Sequence, residues 1–140
     1  MTRSDRESLA PAPARPVGLL VTHAGLGTEL LRTVEGILGA QTDAFVLSNE
    51  GYSGEALSRA IEDRVREVPG ERPVVVFTDL AAGSCGIASR RADHGGRVVR
   101  KVTGVNLPVL LEFFHYRDTL PLDELLPRLE AKGKAGITVS

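Results

Sequence analysis

Two short apolar runs constrain this chain most. Residues 17–21 read Val-Gly-Leu-Leu-Val and residues 74–77 read Val-Val-Val-Phe. Each run ends on polar residues, Thr22-His23 and Thr78-Asp79, and each is followed by a loop of small residues. A short run without polar alternation is a strand buried on both faces. Both faces of such a strand must be covered, and helices connecting parallel strands supply that cover.

The segments between fit this scheme. Leu30, Leu31, Val34, Ile37 and Leu38 recur at helical spacing and stop at Gly39, a C-cap residue. Residues 44–47 form a second short apolar run. Ser53 is placed to cap a helix carrying Leu57, Ala60, Ile61 and Val65, which Pro69 and Gly70 end. Ser84 opens a short helix reaching about Arg91, followed by a polar turn over residues 92–96. Residues 98–103 predict a fourth strand with one exposed side, because Arg100 and Lys101 lie in it. Residues 106–116 predict a helix apolar nearly all round, hence one well covered by protein. Leu122, Leu125, Leu126 and Leu129 define a last helix, which Pro127 is expected to kink or split. Residues 137–140 alternate apolar and polar and predict a C-terminal edge strand. The expected fold is α/β: three layers, α/β/α, around a mostly parallel sheet with core strand order 2-1-3-4 and right-handed crossovers.

Composition narrows the function. With 17 basic and 18 acidic side chains the net charge is −1, so binding of nucleic acid through bulk charge is not expected. Aromatics make up 4% and there is no Trp, which removes base-stacking platforms. Cys85 is the only cysteine, which excludes an intrachain disulfide and fits a reducing, cytoplasmic setting. No apolar run approaches the ~18 residues of a membrane span. Residues 1–16 carry charges and three prolines but no apolar stretch, so a disordered tail is expected there, with a single domain over 17–140.

In open parallel sheets, ligands bind beyond the carboxyl ends of the strands, where strand order reverses. His23 and Asp79 stand at two such ends, and a 2-1-3 order brings them to one crevice. The carboxylate then accepts the N–H of one ring nitrogen, fixes the tautomer, and leaves the other nitrogen as a nucleophile. The loops after both residues enter helix N-termini, whose unpaired amides bind phosphate. Neither loop is GxxxxGK[ST] or GxGxxG. A phosphate-handling histidine without a nucleotide fingerprint points to a phosphoryl group delivered by another protein.

Three segments carry a resemblance: Leu19-Leu20-Val21-Thr22-His23, Phe77-Thr78-Asp79-Leu80 with Gly83-Ser84, and Gly104-Val105-Asn106-Leu107-Pro108. In register from about Val17 to Ile137, they resemble the mannose-family enzyme IIA of the bacterial sugar phosphotransferase system. The resemblance implies that His23 accepts a phosphoryl group from phospho-HPr through Nε2 and passes it to an enzyme IIB. Asp79 would hold Nδ1–H. Ser84 and nearby amides, at Gly83 and Ala24, would bind the phosphoryl oxygens. It implies a homodimer, with no metal and no other cofactor. Two alternatives are a regulatory module of the same system, read by a partner protein, and the phosphotransfer subunit of dihydroxyacetone kinase. The latter usually has Met-Gly-Ser after the aspartate, which this chain lacks.

The chain departs from the family pattern at the loops. Ala24 replaces the usual glycine after the histidine, Ala82 the first of two glycines before the serine, and Cys85 the proline after it. Ile87 stands where asparagine is common. These changes bear on partner identity more than on phosphorylation. Each residue also has a plainer reading. Asp79 and Ser84 suit helix caps, and Cys85 a small packed residue. His94 suits an exposed turn and His115 a helix C-terminus. Arg90 and Arg91 suit a solvated helix end or a docking patch.

Overall fold

The computed structural model describes residues 15–140. Among them the order is β1 (Val17–Thr22), α1 (Leu26–Leu38), β2 (Ala44–Ser48), α2 (Gly54–Arg66), β3 (Val74–Thr78), α3 (Ser84–Arg91), β4 (Val99–Thr103), α4 (Leu107–Tyr116) and α5 (Leu122–Ala135). The four strands are parallel, in the order β2-β1-β3-β4. Every residue of β1 and β3 is buried, as their unbroken apolar runs require.

Side-chain alternation along β1 and β3 splits the core into two layers. Leu19, Val21, Val74 and Val76 pack on one face with Leu57, Ile61 and Val65 of α2 and Cys85 and Ala88 of α3. Leu20, Val75 and Phe77 pack on the other with Val34 of α1, with Leu110, Phe113 and Phe114 of α4, and with Leu125 and Leu129 of α5. Phe77 and Phe113 meet edge to face at 5.0 Å. Fully burying one such side chain contributes ~1.5–3 kcal/mol, so the two layers together dominate the folding energy.

Local signals set the element ends. The Ser53 hydroxyl accepts the Ala56 amide at the start of α2, and Asn106 accepts that of Val109 at the start of α4. Gly39 ends α1 at φ +91°, a conformation that costs an L-residue with a Cβ. Ile37, at the spacing of the α1 core face, is 58% exposed instead. Pro127 does not split α5, which runs on to Ala135. The loss is one i→i−4 bond to the Asp123 carbonyl, in a helix anchored by Leu125 and Leu129 on either side of it.

Three expectations need correction or bounds. Residues 137–140 form no strand in the single chain, and Ile137 and Val139 are 74% and 94% exposed. The expected tail lies outside the described residues except for Arg15 and Pro16, and these two are held. Arg15 Nε lies 2.9 Å from Asp118, and the Pro16 carbonyl accepts from the buried Arg117. His94 is half-buried, with neither ring nitrogen hydrogen-bonded, where an exposed histidine was expected.

Candidate functional site

Sheet register builds the site. Val21 of β1 stands beside Thr78 of β3, so the residues just beyond both strand ends come together above the sheet. The Asp79 carboxylate accepts the His23 backbone amide at 2.9 Å and faces its Nδ1 at 2.9 and 3.1 Å. Oδ1 also accepts the Leu80 amide at 3.0 Å. One carboxylate thus fixes both the backbone and the ring of the histidine. Burial raises the Asp79 pKa, but the His23 amide, ring contact and charge outweigh it, and the carboxyl lies below its ordinary value. Asp79 is therefore an anion at neutral pH, and its pairing places the ring proton on Nδ1.

The opposite edge of the ring is Nε2. Ser84 Oγ lies 3.2 Å from it. With Nδ1 protonated, the hydroxyl donates to the Nε2 lone pair. Gly83 closes in on the same side: a Cβ there would stand 2.9 Å from His23 Cε1 and 3.4 Å from Nε2, a contact only glycine avoids. Gly83 is the N-cap of α3 and offers no side-chain cap. Ser84 is the first helical residue, so its hydroxyl serves the histidine and not the helix end. The first amides of α3, at Ser84, Cys85 and Gly86, precede any i−4 carbonyl of their own helix.

Ala24 plays a different part from the one expected. Its amide donates to Asn49 Oδ1 at 3.0 Å and is therefore engaged within the protein. Its φ is +49°, a left-handed conformation costing an alanine ~1–2 kcal/mol, which accounts for a glycine preference at this place. Asn49 thus orients the loop after the histidine, a role that its position in a turn sequence did not reveal. Thr22 is a second residue missed: its buried Oγ1 accepts the Gly27 amide at 2.7 Å and ties β1 to the first turn of α1. Arg90 is a third. Its guanidinium donates to the Ala81 carbonyl at 2.6 Å and clamps the loop that carries Gly83. No sequence signal marks this contact, because it runs from the last turn of α3 back to the loop preceding the helix.

Cys85 is fully buried behind the site. Burial, then the Asp79 charge, push its thiol pKa up. Donor atoms of His23, Asp79 and Cys85 all lie within 4.8 Å of one another. His115 is exposed, on a helix of the layer below. His94 lies at the far end of the sheet, in a cleft of about 600 Å³ shared with Glu62, Asp93 and Arg97. Among the described residues no helix is long and apolar enough to cross a membrane.

Comparison with known proteins bears on the fold. The chain is similar in fold to a phosphotransferase system component EIIA from Streptococcus agalactiae, at 21% identity and a TM-score of 0.78, covering 89% of this chain and 96% of that one. It is similar to the PTS IIA protein associated with the fucose utilization operon of Streptococcus pneumoniae, at 22% identity, a TM-score of 0.75 and coverage of 92% and 96%. It is also similar to the mannose/sorbose specific IIA subunit from Enterococcus faecalis, at 22% identity, a TM-score of 0.67 and coverage of 90% and 95%. At these identities the likeness shows the fold. A search of curated protein sequences finds no match. The family described as PTS system fructose IIA component, EIIA-man, matches residues 18–130. With that match spanning most of the domain, from β1 into α5, the chain belongs to the mannose-type enzyme IIA family of the phosphotransferase system.

Proposed function

We propose that the chain is a phosphocarrier: His23 accepts a phosphoryl group from phospho-HPr and passes it to an enzyme IIB. One observation carries this reading. The two ring nitrogens of His23 are divided in role, Nδ1 against an ionised carboxylate at 2.9 Å and Nε2 against a hydroxyl at 3.2 Å. The ring proton on Nδ1 leaves Nε2 with the lone pair. The Nε2 lone pair attacks phosphorus, the bond from phosphorus to the donor's nitrogen breaks, and the donor histidine leaves as neutral imidazole. Positive charge develops on the His23 ring, and the Asp79 carboxylate stabilises it without itself taking the proton. Ser84 Oγ turns from Nε2 to the arriving phosphoryl oxygens, and the first amides of α3 favour their negative charge. Return of the group to a second histidine runs the same steps backward.

The exposed rim suits protein partners. Leu80, next to Asp79, is 57% exposed, and Leu26, at the start of α1, is 44% exposed. In the reconstituted relay of phosphoenolpyruvate, enzyme I and HPr, the native chain is expected to take up one acid-labile phosphoryl group, and His23→Ala none. The His23 side chain is 37% exposed, so the alanine variant is expected to keep the fold, which circular dichroism checks. Labelling of the alanine variant would overturn the assignment.

A further inference from the structure

We propose that His23, Asp79 and Cys85 together bind a thiophilic divalent cation, of which zinc is the type, and that its binding shuts the phosphoryl acceptor. The second half rests on the phosphocarrier reading; the binding site does not. Imidazole nitrogen, carboxylate oxygen and thiolate sulfur are the three donor types that zinc takes. Here one atom of each lies within 4.8 Å of the others. In a tetrahedral site the donors stand ~3.3–3.6 Å apart, given metal–ligand bonds of ~2.0–2.3 Å, so the set must close by about an ångström. His23 Nδ1 and Asp79 Oδ2 stand at 2.9 Å and part by about half an ångström as the ion replaces their hydrogen bond, while the Cys85 side chain closes the wider gap. The three donors come from the ends of β1 and β3 and the first turn of α3. The fourth position faces the solvent side, where the His23 side chain is 37% exposed, and water fills it.

The proton balance is simple. Cys85 gives up its S–H proton to solvent as the metal–sulfur bond forms, and the carboxylate needs no change. A neutral imidazole has one in-plane lone pair. If the metal takes Nε2, that lone pair is used. If it takes Nδ1, the ring proton moves to Nε2. Either way no lone pair is left to attack phosphorus. Cys85 otherwise serves only as a small apolar filler between Leu57, Ile61 and Ala88, and that role predicts no metal effect.

Cobalt is the probe, because thiolate ligation gives it a charge-transfer absorption. The native chain is expected to bind one equivalent of Co²⁺ with that band, to release one proton, and to lose the band to added Zn²⁺. Cys85→Ala is expected to lose the band and at least ~10-fold in affinity, since even an outer-shell partner is worth ~10–100-fold. His23→Ala, altered outside the core, is expected to lose affinity comparably. No band in the native chain, or equal binding by the native chain and Cys85→Ala, overturns the site. In the relay assay, zinc should block labelling of the native chain, a chelator should restore it, and Cys85→Ala should label in zinc. Equal zinc sensitivity of the two chains overturns the blocking role. A native chain that takes no label without metal overturns the phosphocarrier reading instead, and leaves the cobalt result standing.

Discussion

At the level of single residues, the site depends on Asp79 more than its modest surroundings suggest. Asp79→Asn keeps the size of the side chain and a carbonyl acceptor but removes the charge that offsets the developing imidazolium. The loss of an aligned acid–base partner costs ~10²–10⁴ in rate, so rapid-quench phosphorylation should slow by about that factor. Unchanged kinetics would leave the aspartate a structural clamp on the His23 amide. His94 makes a different case. Burial holds its pKa below the ordinary value, with Lys101 adding to the effect. Below pH ~6.5 the unfolded chain takes up a proton that the folded chain still refuses, so stability falls with falling pH until the folded pKa is passed. The slope is at most ~1.4 kcal/mol per pH unit. Urea midpoints compared at about pH 7.5 and about pH 5.5 should therefore drop less in His94→Gln than in the native chain. Equal drops would show that the ring is solvated after all. The signals for His23 and Asp79 were legible because position at a strand end is a property of short-range sequence. The Asn49, Thr22 and Arg90 contacts were not, because each depends on where a polar side chain lies after the loops have closed.

Among the elements, β1 and β3 were legible throughout, since a strand buried on both faces has no polar position to blur the pattern. The capped helices α2 and α4 were equally clear. Ambiguity grew toward the edges. The run at residues 137–140 has the alternation of a strand, yet alternation alone does not supply a partner, and in the single chain those residues stand apart from the sheet. The open side of β4 has Arg100, Lys101 and Thr103 exposed and remains unpaired on one edge. An unpaired edge near an exposed alternating segment favours exchange between two copies, each segment pairing with the other copy's edge. Deletion of residues 137–140 is accordingly expected to halve the mass seen by light scattering, from dimer to monomer. Truncated and full chains of equal mass would remove the segment from assembly. The start of the fold shifted for a similar reason: Arg15 and Pro16 lie in a stretch of tail composition, but Asp43, Asp118 and Arg117 are placed to receive them only in three dimensions.

For the molecule as a whole, a cluster of bonded charges lies at the end of the sheet away from His23. There Arg117, 2% exposed, donates to the carbonyls of Pro16, Thr42 and Asp43 and to Gln41 Oε1. Burial, followed by the charge of Arg15, brings its pKa down to about 10, so it remains charged at neutral pH. Arg72 bonds Asp43 at the same end and holds its carboxyl below the ordinary range. The reactive end carries the Asp79 carboxylate and the His23 imidazole on the tips of β1 and β3, with the Arg90 guanidinium on the loop beside them. Those strands lie in the middle of the sheet, covered on both sides, and such segments open to solvent only when the entire domain does. A histidine mounted there has no private way to come loose. Its capacity to take a phosphoryl group and the far-ultraviolet signal of the fold should vanish at the same denaturant concentration. An acceptor lost earlier would mean that the loops bearing Gly83 and Ala24 fail first. The carrier would then be switched off by a change too small to register as unfolding.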